Sequence, residues 1–441
     1  MKSTTKGKFI SSVNKCGTPG IFHKNPVIIC ISFFLVFCFT LFNTMAQEGG
    51  EWPCFHGTER LNKSKETGML KKWQEGGPKL LWTVSGLGEG YSSVSIARGM
   101  IFTAGKSDNQ TCVFAYDLNG NLLWKTPNGK AWETTASWAA SYTGSRSTPT
   151  FDDGNIYHLG ELGRLVSLDY KTGKENWSCE LRELFNAGIP EYGYSESVRI
   201  EGPYLYCAPA GKKGFIVCLD KKTGKLIWAN TEIPGTEGYN SPVIAECCNY
   251  RQLISMSSNT VYGVDIKTGR LLWKHKFEND RGLNISDPVI SNDHIFVSSG
   301  YGRGSILIKL NTTGNEIKPS VVYDSPLMDN HHGGIILNNG YLYGSGSKAR
   351  GWFCLDLLTG KELWKSSGVG SLTYADGMLY LLDERGTVKL AEARAEKFEL
   401  RGEFKLPSGG KGMYWAHPVV SGGRLYIRHT DKLFAYDISG K

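Results

Sequence analysis

From Ser92 to the C-terminus the chain alternates short apolar runs with turns rich in Gly, Asp and Asn, a period-two pattern that predicts strands and leaves little room for helices. One recurring pattern is an apolar strand, a tight turn and a second strand. It begins at "SSVSIARGMIFTAG" (Ser92), "STPTFDDGNIYHLG" (Ser147), "SESVRIEGPYLYCAP" (Ser195) and "NSPVIAECCNYRQLISMSS" (Asn240). It returns at "SDPVISNDHIFVSSG" (Ser286), "HGGIILNNGYLYGSG" (His332), "SLTYADGMLYLLD" (Ser371) and "WAHPVVSGGRLYIRH" (Trp415).

A second pattern follows most of these: "DYKTGKENW" ending at Trp177, "DKKTGKLIW" at Trp228, "DIKTGRLLW" at Trp273 and "DLLTGKELW" at Trp364. "DLNGNLLW", ending at Trp124, is one residue shorter; residues 310–323 are a degenerate copy and residues 392–404 a weaker one. The Asp ends one strand and can hold its own turn amides, Thr-Gly supplies the turn, and the next strand closes on Trp. A hairpin pair of this kind leaves one apolar face that only a neighbouring copy can cover. Eight copies at the spacing of four-stranded blades predict an all-β fold, a single eight-bladed β-propeller of antiparallel blades. The last copy, "LFAYDISGK", stops short of its outer strand, whereas "PKLLWTV" near the N-terminus has an outer strand ending in Trp82 and no blade. Pairing the two closes the ring and removes the open edge.

Composition adds a leader. Residues 1–46 carry five lysines and no acid, then the apolar run "PVIICISFFLVFCFTLF" and the small-residue stretch "NTMA". That order reads as a signal peptide cut after Ala46, an uncleaved anchor being the alternative. The expected division is therefore 1–46 leader, 47–78 an extension packing on the propeller, and 79–441 the propeller. Without the leader the basic and acidic residues number 45 and 42, near balance, and nothing argues for nucleic acid. No CxxC pair is present, which excludes a zinc ribbon, and the eight remaining cysteines sit in strand-like segments as small apolar residues do.

The Asp-x-x-Thr-Gly-x-x-x-Trp units across residues 79–441 resemble the tryptophan-docking repeats of the pyrroloquinoline quinone (PQQ) propeller superfamily. That superfamily includes quinoprotein alcohol dehydrogenases and the non-enzymatic outer-membrane assembly factor of the BamB type. "WPCFHG" (Trp52 to Gly57) and "GYSESV" (Gly193 to Val198) also look like an exported bacterial branch of PQQ-like repeat proteins. The resemblance implies the fold; it does not choose between oxidising an alcohol and scaffolding.

The loops leading into the innermost strands share one face, which gathers Arg146, Glu196, Asn240, Asp287, His331, His332, Trp415 and His417 as candidate ligand-binding residues. Lys106, Lys212, Lys213, Arg303, Lys348 and Arg350 behind them predict a mildly positive funnel suited to an anionic ligand. Turn geometry, or a salt-bridge ring joining Arg146, Glu196 and Asp287, accounts for the same residues without a ligand. PQQ with calcium would need hard oxygen ligands and a carboxylate base; by analogy with quinoproteins, Glu196, Asn240 and Asp287 are the metal candidates and Asp287 the catalytic one. Some of those enzymes hold a disulfide between adjacent cysteines at the cofactor, but Cys247 and Cys248 fall on the opposite face. Alternation along a strand puts only one of the adjacent histidines toward the channel, His332 being the choice, with His417 nearby. The reading that results is an exported monomeric binding or scaffold propeller, meeting a small anionic ligand, a glycan or a cell-envelope protein. A PQQ- and calcium-dependent alcohol dehydrogenase is the alternative.

Overall fold

Each Asp-Thr-Gly turn is built by one carboxylate. Asp169 Oδ1 accepts the amides of Lys171 (3.1 Å) and Thr172 (2.8 Å) and the Thr172 hydroxyl (2.8 Å), and Asp220, Asp265 and Asp356 each hold the Thr of their own turn in the same way. The strands so joined form eight sheets, each with four antiparallel strands, in the computed structural model, which describes residues 50–440 apart from Asn315. The leader expected over residues 1–46 lies outside the described residues. Helix is confined to Leu181–Phe185 and a 3-10 turn at Ser137–Tyr142.

Neighbouring blades are fastened through the terminal tryptophans. Trp124 Nε1 donates to Tyr170 O of the next blade (2.9 Å), Trp177 to Lys221 O (3.0 Å), Trp228 to Ile266 O (3.2 Å) and Trp364 to Arg394 O (2.8 Å). For Trp124, Trp177 and Trp228 the ring lies on the glycine of the next blade's Thr-Gly turn. At Gly173, φ +68°, an added Cβ would come 2.6 Å from the Trp124 ring, and at Gly224 it would come 2.7 Å from Trp177. Glycine is needed there twice over, for the positive φ and for the close approach. Trp273 departs from the scheme and donates to Gln252 Oε1 of its own blade at 2.6 Å. Its neighbour is the degenerate copy, a long hairpin of Gly304–Thr313 and Glu316–Ser325 that lacks the Asp-Thr-Gly turn. There Tyr323 takes the tryptophan's place, its hydroxyl donating to Leu357 O at 2.9 Å.

The ring closes as the sequence predicts: Lys79–Ser85 pairs antiparallel with Lys432–Asp437, Thr83 opposite Phe434. Trp82 then docks on Gly120 and donates to Leu118 O at 3.1 Å. Arg428, fully buried in the last blade, spans the same seam and donates to Thr103 Oγ1 (2.6 Å), Gly88 O (3.0 Å) and Ser92 O (3.2 Å) of the first. The segment before the ring does more than pack on it. Trp52 exchanges backbone hydrogen bonds with Ile96, Pro53 O accepts from Phe151 N, Arg60 donates to Ser197 O, and Lys63 and Ser64 pair with Tyr374 and Ala375. These partners sit on or beside innermost strands of four blades, so residues 52–64 form a strap across the axial channel.

Trp177→Ala is expected to lower stability by about 2–4 kcal/mol, the cost of a partly buried aromatic together with its hydrogen bond to Lys221 O. Gly224→Ala, which drives a methyl into the same ring, is expected to destabilise in the same direction. Urea unfolding of both variants checks the two halves of one contact.

Candidate functional site

The innermost strands are short, three to six residues in most blades, and the loops leading into them converge on the axis. Backbone hydrogen bonds to side chains link these loops in series. Ser93 N donates to Thr148 Oγ1 (3.1 Å), Thr148 N to Ser197 Oγ (2.9 Å), Ser197 N to Ser241 Oγ (2.9 Å) and Ser241 N to Asp287 Oδ1 (2.7 Å). One small polar residue per blade, at one position in the repeat, thus fixes five successive loops around the channel.

Above this chain of bonds lies a cavity of about 590 Å³. Its wall is largely aromatic: Phe55, Tyr91, Tyr142, Tyr192, Tyr239, Tyr301 and Trp415. Trp415 stacks on Tyr142 (centroids 5.3 Å apart, 17° between planes) and meets His332 edge to face at 4.4 Å. Four charged residues line the space, Arg146 and Arg281 against Glu191 and Asp287. Asp287 faces His56, 3.3 Å from Nδ1 to Oδ2. The Arg146 guanidinium lies over the rings of Tyr91 (5.9 Å) and Trp132 (5.7 Å) and donates to Tyr192 O at 2.7 Å. No carboxylate among the described residues comes within ion-pair distance of it, and burial lowers its pKa.

Of the residues marked in the sequence, Arg146, Asp287, His331, His332, Trp415 and His417 reach this cavity. Both adjacent histidines do so, because residues 331–333 form a bend and strand pairing starts only at Ile335. The alternation that assigned them to opposite sides therefore does not apply. His331 Nε2 is 2.9 Å from the Tyr301 hydroxyl, and burial pulls the His331 pKa down to about 4. Burial and the neighbouring His331 and His417 lower that of His332 further, so all these rings are neutral. Glu196 and Asn240 are not in the wall. Asn240 Nδ2 donates to Met256 O and Asn284 O, while its Oδ1 accepts from Ser255 Oγ and Met256 N. Glu196 Oε1 accepts from Ala208 N at 2.8 Å, and burial raises its pKa to about 8.

The basic residues expected at the funnel are also outside the wall; Lys106 pairs with Glu133 and Arg303 with Asp324. Instead the sequence reading missed Phe55 and His56 of the strap, Tyr142, Tyr192, Tyr239, Arg281 and Tyr301. A signal for Tyr239 was present: Gly238-Tyr239 repeats, ahead of its innermost strand, the Gly90-Tyr91 pair whose tyrosine also lines the cavity.

Of the three residues considered for a calcium-assisted quinone site, only Asp287 lines the cavity. The amide oxygen of Asn240 is already taken by two donors, Glu196 holds a backbone amide away from the wall, and Asp287 holds Ser241 N and faces His56. Among the described residues no group of three or more His, Cys, Asp and Glu is placed to hold a metal. Cys247 and Cys248 are both unbridged, and the Cys248 amide is tied to Asp293 Oδ1 at 2.7 Å.

Residues 109–366 match the family model described as outer membrane protein assembly factor BamB, more than half of the chain, and the chain belongs to this family of PQQ-like repeat propellers. The tetrathionate hydrolase of Acidithiobacillus ferrooxidans is 20% identical over 337 residues, 71% of this chain and 52% of that protein. The quinoprotein alcohol dehydrogenase PedH of Pseudomonas putida is 26% identical over 157 residues, 31% of this chain and 24% of that protein. The chain thus spans about half and about a quarter of the length of these two curated relatives. The crystal structure of BamB from Moraxella catarrhalis superposes with a TM-score of 0.57 at 14% identity, over 82% of this chain and 99% of that one, a likeness of fold. No helix among the described residues is long and apolar enough to cross a membrane.

Glu196 makes a pH prediction. Its folded pKa of about 8 stands above the usual 4.5, so the folded state keeps a proton that the unfolded chain releases, and stability falls as pH rises from about 4.5 to 8. Glu196→Gln removes that slope. The stability of the variant relative to the parent, read from urea melts at pH 5 and pH 8, is expected to increase with pH.

Proposed function

We propose that this chain is an exported ligand-binding propeller whose channel mouth holds a small ring-bearing acid. The observation that carries this reading is the pairing of an aromatic wall around about 590 Å³ with Arg146, a guanidinium fixed at that wall beyond ion-pair distance of any carboxylate among the described residues, the buried Glu161 acting on it only from further off. Flat rings offer area to a flat ligand, and a few fixed polar groups orient it. Arg281, exposed at the mouth and over the Tyr301 ring at 6.0 Å, adds a second positive group toward incoming acids. The leader and the BamB family support placement in the cell envelope, where a protein partner at the outer surface of the ring is compatible with a ligand at its mouth.

Dehydrogenase relatives favour PQQ, itself a ring-bearing acid, as one ligand to test. The quinoprotein reading asks further for a calcium site, but the amide oxygen of Asn240 already accepts from two donors and, among the described residues, no group of three or more His, Cys, Asp and Glu is placed to hold a metal. Addition of PQQ and calcium is therefore expected to give no dye-linked oxidation of an alcohol panel, and turnover would overturn that expectation.

Binding is tested by titrating PQQ and a panel of aromatic and heteroaromatic carboxylates while following tryptophan fluorescence, to which Trp415 contributes. Arg146→Gln is expected to weaken any acid that binds by about tenfold or more, the scale of a charge-assisted hydrogen bond. Equal affinity in parent and variant would reject the assigned role of Arg146.

A further inference from the structure

Three buried groups at the floor of the pocket, His417, His56 and Asp287, stand in a row. His417 Nε2 lies 2.7 Å from the backbone carbonyl of His332, and a carbonyl only accepts, so this nitrogen carries hydrogen. Burial, and the neighbouring His56, bring the His417 pKa down to about 3, so the ring is neutral and its Nδ1 is a lone pair. His56 Nε2, 2.9 Å from that lone pair, must then be the donor. The other nitrogen of His56 faces Asp287 Oδ2 at 3.3 Å. A neutral ring would set a lone pair against a carboxylate oxygen there, in a place where the two side chains are 6% and 8% exposed. A proton placed between them, on the imidazole or on the carboxyl, would relieve that opposition and give the buried Asp287 Oδ2 the partner it otherwise lacks.

The same pair stands between two spaces. His56 and Asp287 line the mouth cavity of about 590 Å³ and also a second cavity of about 360 Å³ beyond it, bounded by Glu59, Arg60 and the innermost strands. Phe55 stacks on the His56 ring, centroids 3.8 Å apart, and so lies on the same partition.

We infer that Asp287, His56 and His417 form a proton-bearing latch that fastens the N-terminal strap across the channel, making Phe55 and His56 the floor of the mouth pocket. The latch joins the strap to the fifth blade through Asp287 and to the eighth through His417, whose Nε2 reaches the sixth at His332 O. The pocket is consequently a closed cup. A compact ligand fits it, and a chain-like ligand threading the axis is shut out. This size limit rests on the proposed binding role; the latch itself is a property of the folded chain.

Imidazole nitrogen NMR on the full chain tests the proton count without any ligand. The expected result is His417 protonated at Nε2 alone, and His56 protonated at Nε2 with its Nδ1 shifted away from the position of a free lone pair. His417 protonated at Nδ1, or a free lone pair at His56 Nδ1, would overturn the latch. Hydrogen exchange supplies a second readout through the amides of Trp52 and Asn62, which are hydrogen-bonded within the strap region. Asp287→Asn brings its own amide hydrogen to His56 and keeps an oxygen for Ser241 N, so the parent's exchange rates are expected. His56→Phe retains the stack on Phe55 but no hydrogen bond, and exchange about tenfold faster or more is expected. Parent rates in His56→Phe, or fast exchange in Asp287→Asn, would contradict the assignment. Failure of every ring acid to bind would remove the proposed function and leave these readouts as they are.

Discussion

The contact between a terminal tryptophan and the glycine of the next blade's turn is what the rest of this molecule depends on. A single four-stranded sheet cannot cover its own apolar faces, so blades are stable only as neighbours, and each neighbour must be held at one distance and tilt. The indole does this with three properties at once: a large apolar face, a rigid ring and one N–H that finds a carbonyl in the adjoining blade. Trp82 shows how much rests on it. Although it comes from the N-terminal side of the chain, it docks on Gly120 as the others dock on their own turns, and the ring is closed by the same chemistry that builds it.

A regular ring places every inner-strand loop at the same height, and the site follows from that regularity together with its exceptions. Ser93, Thr148, Ser197, Ser241 and Asp287 are one position of the repeat seen in five blades, and they bind one another in sequence. Asp287 differs from the rest in having a second oxygen. That oxygen meets the strap at His56, and a link in the ring becomes part of the pocket floor. The pocket is thus shaped by residues that depart from the repeat, set on a frame made of those that keep it.

The fold was legible because eight imperfect copies testify to one geometry, and the missing outer strand at one end matched the surplus strand at the other. Even the failures have local causes: Trp273 turned inward because its neighbour had lost the Asp-Thr-Gly turn. The site was legible only in part. Arg146, Asp287 and the histidines were found because repeat alignment puts them at the mouth, but alignment cannot tell which of two adjacent side chains faces the axis. Glu196 and Asn240 stand at the matching position of their blades but lie behind the wall and bond to backbone groups. Phe55, His56 and Arg281 lie outside the aligned strands, and a strap's course through a channel leaves no periodic trace in sequence.

The central claim, that the channel mouth is a ligand site floored by the strap, is tested most directly by a crystal structure of the protein isolated from its natural source and then exposed to the ring acid it binds best. The account predicts density for one compact molecule against Tyr142, Trp415 and Arg146, ending at Phe55 and His56. Density passing beyond His56 into the second cavity, or a ligand held elsewhere on the ring with the mouth filled by solvent, would contradict it.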